Sequence, residues 1–347
     1  MTACPRQERH GPLTSSGFTG DAVRVQPSRP VSPTSVPLPD AGRILVRVRL
    51  PGAFAVTTGT ASEAQGAGVR DGLRSQRPRL RTLLATLDDV AWSAPSRCTE
   101  WNVHEVVRHL CDMTLKTTAL LRGANPQDVG TSDVDPRTTP LAWLSRSGGE
   151  RPQETLDVFR AASAQLMDEV ERCLRGPAET EVAWFYGPVP WSTAACHLLW
   201  DAWVHERDIV LPLTRRHECP AVESRPAAAY GLLMASIPAL VTGACVSETV
   251  VLTGAGGGAF LLDARPDAND RRQLTAAGYP ADGTVTISVS DTNWTNDTQP
   301  LIGALEDVID SLVGRGPDLA AVLDGPPERV EPLGVLRSFM LRPAPPS

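Results

Sequence analysis

The chain has 347 residues, 41% of them hydrophobic and 21% charged, with a formal net charge of −7. This is globular composition with length for two domains, and the acidic balance argues against a general nucleic-acid surface, which needs clustered Lys and Arg. No apolar run approaches the ~20 residues of a membrane span, and the start lacks the charged-then-apolar pattern of a secretory signal, so a cytoplasmic protein is expected.

Residues 1–68 stand apart. Five prolines fall between Pro27 and Pro39, and no helical or strand period lasts. Such a stretch buries too little apolar surface to offset its ordering entropy, so it is expected to be disordered or a spurious extension. One short alternation, RILVRVRL from Arg43 to Leu50, has the pattern of a strand.

From Val69 the period becomes helical. Leu80, Leu83, Leu84 and Leu87 recur at spacings of three and four and form one stripe. A loop from Trp92 to Trp101 follows. Asn102 suits an N-cap, and the next helix carries Val103, Val106, Val107, Leu110 and Met113 on its inner face. His109, three residues after Val106 and four before Met113, shares that face. A polar linker with Asn125, Pro126, Gly130 and Pro136 leads to a third helix striped by Leu156, Phe159, Ala162, Leu166, Val170 and Leu174, which Gly176 and Pro177 stop. The fourth helix is expected in WSTAACHLLWDAWVHERDI, residues 191–209. Four such helices make a four-helix bundle with one long crossover, spanning 69–217.

A break at TRRHECPAVESRP opens a second region, 218–347, expected to be a smaller α+β domain. It holds a helix from Pro226 to Val241, strands in SETVVLTG, AFLLDA and GTVTISVSD, and helices in ALEDVIDSLVG and EPLGVLRSFM. The glycines from Gly254 to Gly258 lie between two short strands, which favours a hairpin over a phosphate-binding loop. The seven cysteines include no CxxC pair, so neither a disulfide framework nor a thiolate zinc site is expected. Cys196, in an apolar helix, reads as a small core residue.

The chemistry concentrates in the fourth helix. Asp201 and His205 are four apart and lie one above the other. With His109 from the second helix they offer one carboxylate and two imidazoles to a single ion, leaving a coordination position open as a catalytic zinc site requires. His197 extends the same file one turn earlier as a solvent-facing or substrate-facing neighbour. Asp208, three residues after His205, can orient its imidazole. The competing reading is a structural hydrogen-bonded Asp–His pair in a bundle core, with Trp184, Trp191, Trp200 and Trp203 either packing that core or walling a pocket. No nucleophile-elbow sequence accompanies the Ser, His and Asp residues, so a serine hydrolase is not expected.

Taken together, WNVHEVVRHL after a tryptophan-containing loop, WDAWVHERDI after a long middle helix, and a tail with SLVGRGPDL and GPPERVEPLGVLRSFM resemble the mycothiol-dependent maleylpyruvate isomerase family of actinobacteria, over roughly residues 70–341. The resemblance implies a DinB-like metal-binding four-helix bundle. It further implies a divalent metal, usually taken as zinc in that family, held by His109, Asp201 and His205, with mycothiol as the thiol cofactor. Here Asp201 stands where the family pattern has Glu, one methylene longer. The implied activity is isomerisation or thiol transfer, a metal-activated thiolate adding to a small electrophile. Alternatives are a non-catalytic binding or regulatory bundle with a weakened metal site, and hydrolysis by a zinc-bound water. Arg315, in the GRG of the second region, is either a partner for a substrate carboxylate or an ordinary surface arginine.

Overall fold

The computed structural model describes residues 45–49, 61–129, 144–145, 147–178, 180–184, 188–241, 245–266, 284–291 and 299–341. The bundle consists of α1 (Ala61–Leu84), α3 (Val103–Leu121), α4 (Pro152–Arg175) and α5 (Trp191–Val210), with a short α2 (Asp89–Ser93) between the first two. Each of α1 and α3 packs on both α4 and α5. A two-stranded ribbon, β2 (Glu181–Val182) with β3 (Val189–Pro190), delivers the chain into α5.

The leucine stripe explains α1 from Val69 onward, and Leu73, Leu80 and Leu84 are fully buried. The helix nonetheless starts at Ala61, eight residues before the expected onset. Small residues replace the stripe there. A Cβ on Gly66 would stand 2.8 Å from the Trp191 ring, so the absent side chain lets α1 approach α5, and the neighbouring Gln65 is buried against Thr193. The expectation of disorder over 1–68 is therefore corrected for 61–68, while the strand pattern read at Arg43–Leu50 forms strand β1 over Leu45–Arg49; the rest of that segment lies outside the described residues.

The second region holds α6 (Ala221–Val241), β4 (Val246–Thr253), β5 (Gly258–Pro266), β6 (Thr284–Asp291), β7 (Leu301–Ala304), α7 (Leu305–Leu312), a 3₁₀ turn at Leu319–Ala321, β8 (Leu323–Asp324) and α8 (Pro327–Met340). The fold is thus a four-helix bundle followed by a smaller part of helices and one sheet. The strand order is β1-β6-β5-β4-β7-β8, with β1–β6 and β4–β7 parallel and the other pairs antiparallel. Burial alternates as one-sided strands require: Phe260, Leu262 and Ala264 point inward while Leu261 is exposed. The GAGGG run is the turn of the β4–β5 hairpin, with Gly254 at φ +103° and Gly256 at φ +79°, which residues bearing a Cβ rarely adopt.

Helix α6 packs on α1 and α5 on one side and on β4, β5 and β6 on the other, so one apolar cluster runs from the bundle into the sheet. Every described residue belongs to a single compact unit, Ala41–Ser347. A polar clasp closes the junction. Arg79 of α1 reaches Glu206 of α5, through Nη1 and at 2.8 Å through Nη2, and Glu223 of α6 at 2.5 Å, and both carboxylates are buried. Burial works against the Arg79 charge, but Glu223 and Glu206 outweigh it and raise its pKa.

Removing that guanidinium leaves two carboxylates without their counter-charge in a dry setting. Arg79→Met should lower stability by about 3–5 kcal/mol, read as a drop in the urea midpoint. Arg151→Ala, which removes the exposed Arg151–Glu154 pair, should leave the midpoint in place. Equal effects from the two substitutions would contradict the role given to the clasp.

Candidate metal centre in the helical bundle

All twenty residues of α5 are buried. Its polar residues face neighbours on several sides, and Asp201 and His205 turn toward α3. The start of α3 is fixed by a capping box: Asn102 Oδ1 accepts from Glu105 N and Glu105 Oε2 accepts from Asn102 N, each at 2.9 Å. Val106, Val107 and Leu110 then bury the inner face of α3 and carry His109 into the bundle.

There the three residues meet. His109 Nε2 lies 3.6 Å from Asp201 Oδ2, and His205 Nε2 lies 3.4 Å from Asp201 Oδ1. Ligand atoms of all three fall within 4.8 Å of one another, and the two imidazole rings stand 5.0 Å apart, nearly perpendicular. Trp101 covers both rings, with centroids 5.3 Å from His109 and 6.3 Å from His205. Exposure is 8% for His109, 8% for Asp201 and 6% for His205.

These spacings fit a shared ion better than a hydrogen-bonded pair. At 3.6 Å the His109–Asp201 approach is too long for a hydrogen bond, and Asp201 Oδ2 and His109 Nδ1 are buried without a hydrogen-bond partner. Donors bonded to one tetrahedral zinc at ~2.0–2.2 Å stand about 3.3–3.6 Å apart, and each histidine stands at that separation from one oxygen of Asp201. Two imidazoles and a carboxylate are a donor set that zinc accepts. The shorter Asp201 side chain still reaches both histidines.

His205 is also held from behind. Its Nδ1 lies 3.0 Å from Asp208 Oδ2. With Nδ1–H donated to that carboxylate, the Nε2 lone pair faces the Asp201 side. Asp208 receives more than His205: the Cys98 thiol donates to Oδ2 at 3.1 Å, Arg315 Nε donates at 3.2 Å to Oδ1, and the backbone N–H of Arg97 donates to the Asp208 carbonyl at 3.1 Å. Arg315, partly exposed, is thus engaged by Asp208; its Nη2 also donates to Cys98 Sγ at 2.9 Å. Sequence reasoning missed Cys98 and misplaced Arg315. Neither sits in a periodic pattern that includes His205, and only the folded chain brings them 107 or more positions together.

Burial opposes ionisation of Asp201, but the charges of His205 and His109 outweigh it and hold its carboxyl well below the usual range. Burial likewise opposes the His205 charge, and Asp201 and Cys98 overcome it, so His205 titrates well above an ordinary histidine. Asp208 is lowered to about 2, burial being overcome by the hydrogen bond from His205 and by Arg315.

His197 does not join the cluster. It is buried, with Nδ1 at 3.1 Å from Tyr230 Oη and the Trp184 and Trp200 rings against it, which overturns the solvent-facing position expected for it. Trp191 and Trp203 are fully buried core residues. Cys196 is buried too, and burial raises its thiol pKa. His104 points away to Thr155 of α4.

Residues 73–210 match the family model described as the mycothiol maleylpyruvate isomerase N-terminal domain. Two solved structures align with the chain, those of the mycothiol-dependent maleylpyruvate isomerase and of a histidine-to-alanine mutant of that enzyme. Identity is 16% and 15%; each alignment covers 77% of this chain and 95% of the other, with a TM-score of 0.45. No curated protein matches the chain significantly. No helix among the described residues is long and apolar enough to cross a membrane.

A pH dependence follows from a neighbouring histidine. His217 accepts at Nδ1 from Arg207 at 3.3 Å, and burial with the Arg207, Arg79 and Arg97 charges lowers its pKa to about 3. Its folded pKa lies below the unfolded value of ~6.5. The unfolded chain therefore binds more protons below pH 6.5, and stability falls as pH drops toward 3. Relative to His217→Gln, the parent should lose up to about 1.4 kcal/mol per pH unit between pH 6 and 4.5 in urea titrations. A parent that gains on the variant as pH falls would reverse the assigned sign.

Proposed function

We propose, from the match of residues 73–210 to the mycothiol maleylpyruvate isomerase N-terminal domain model, that this protein is a metal-dependent, mycothiol-using isomerase or thiol transferase acting on a small electrophile. The observation that carries the reading is the set of three buried donors, His109, Asp201 and His205, within the matched segment, each histidine 3.4–3.6 Å from an oxygen of Asp201 and all three within 4.8 Å of one another.

His109 and His205 would hold the ion through Nε2 and Asp201 through its carboxylate. A zinc ion bound there supplies Lewis acidity that keeps a low-molecular-weight thiol ionised at neutral pH, the nucleophile needed for reversible addition to an activated double bond. The chain's own residues do the rest. Asp208 fixes the His205 ring and its tautomer. Asp201 contributes a negative charge that favours a cation over two neutral imidazoles. Trp101 excludes water from one side, which strengthens every charge interaction inside. Cys98, the cysteine beside His205, is bonded to Asp208 and Arg315, and the reading assigns the nucleophile to an external thiol.

The test is metal content by mass spectrometry on the parent and on His109→Ala and Asp201→Ala, each checked for folding by circular dichroism. The parent should carry about one zinc per chain and both variants much less. Asp208→Asn should retain the fold and bind zinc ~10–100-fold more weakly. A parent that takes up no zinc near neutral pH would sink the enzymatic reading. Metal-dependent turnover of maleylpyruvate or another activated alkene should then require mycothiol, and turnover without a thiol would instead indicate hydrolysis by metal-bound water.

A further inference from the structure

The two imidazoles of the candidate centre are held differently. His205 has a carboxylate behind it, with Asp208 Oδ2 at 3.0 Å from Nδ1. His109 does not: its Nδ1 is buried without a hydrogen-bond partner. A histidine that binds a metal through Nε2 carries its proton on Nδ1 and is ordinarily oriented by the acceptor it finds there. Rotation of an imidazole about its Cβ–Cγ bond is otherwise a broad, soft motion. The angle at which His109 Nε2 addresses Asp201 is then set by what packs against the ring.

Among the described residues two rings do so: His205, nearly perpendicular with centroids 5.0 Å apart, and Trp101, at 5.3 Å and tilted by 47°. Trp101 is itself fixed on both sides. Its carbonyl accepts from Ser96 Oγ at 2.8 Å and from Ser96 N at 3.1 Å, and its own N–H donates to the Cys98 carbonyl at 2.8 Å. Val103 N donates to the Ala94 carbonyl at 3.0 Å, which closes the loop on itself. The residue after Trp101 is Asn102, the cap of the helix that carries His109. Indole and imidazole therefore hang from one braced corner of the chain.

We propose that Trp101 is the positioning residue of His109, its indole packed against the imidazole in place of the missing hydrogen bond and keeping Nε2 turned toward Asp201. The proposal rests on the reading of His109, Asp201 and His205 as a metal centre and adds to it a residue that supplies no donor. Trp101 also precedes the cap of α3, with Val106 the fourth helical residue, the two positions of a hydrophobic staple. A staple holds the helix start and is indifferent to metal. An orienting ring is not.

Zinc affinity, measured by competition with a chromophoric chelator alongside the urea midpoint, separates the two roles. Trp101→Leu keeps an apolar side chain against Val106 but no flat ring, and should bind zinc ~10–100-fold more weakly, the loss that follows removal of an orienting group. Trp101→Phe, which returns a flat ring, should recover affinity to within about threefold of the parent. Trp92→Leu removes a buried tryptophan of the same apolar cluster whose ring meets His104 instead of His109. It should lower the urea midpoint and leave zinc affinity within about twofold of the parent. Parent-like zinc affinity in Trp101→Leu, no recovery in Trp101→Phe, or an equal loss in Trp92→Leu would overturn the role given to Trp101 while leaving the metal centre in place. A parent that takes up no zinc would overturn both.

Discussion

Helix α5 places Asp201, His205, Glu206, Arg207 and Asp208 within about two turns of a wholly buried helix, and ionised groups in that setting must be matched or they unfold the protein. The surrounding architecture answers that demand element by element. Arg79 of α1 meets Glu206, His109 of α3 meets Asp201, and Arg207 is gripped by Asp310 and Glu306 of α7. Asp208 is covered by Cys98 from the loop before α3 and by Arg315 after α7.

Within this arrangement Asp201 differs from the rest. Glu206, Arg207 and Asp208 have partners at 2.5–3.2 Å, whereas Asp201 has histidines at 3.4 and 3.6 Å and one oxygen without a hydrogen bond. The contrast sets Asp201 apart from the closely paired charges of the same helix. The 3.6 Å between His109 and Asp201 is a separation that two donors of one coordinated ion adopt.

Much of this was legible in the chain. The three- and four-residue spacings of Leu80–Leu84, Val103–Met113 and Leu156–Leu174 mark three bundle helices, and the i, i+4 relation of Asp201 and His205 puts both on one face of the helix that carries them. His109 follows from its neighbours on the inner face of α3. Other features were not legible, for identifiable reasons. The first turns of α1 pack by smallness at Gly66 rather than by a leucine stripe, so no apolar period announces them. Strands β7 and β8, of four and two residues, are too short for an alternation to register. The Cys98–Asp208–Arg315 contacts join residues 107 or more positions apart, a property of tertiary structure alone.

Those long-range contacts bear on how the bundle and the sheet-bearing part depend on each other. The matched segment ends at residue 210, yet two of the ionised groups it buries are completed from beyond that point: Arg207 by Glu306 and Asp310, Asp208 by Arg315. Arg97 adds a third link, donating to Asp310 at 2.8 Å and to the Arg315 carbonyl at 3.0 Å. A bundle without α7 and its following loop would expose or strand these charges next to His205. Because Asp208 holds the His205 ring, anything that shifts Arg315 also shifts an imidazole of the candidate metal centre. The sheet-bearing part therefore contributes to the orientation of His205 while supplying none of the three candidate donors.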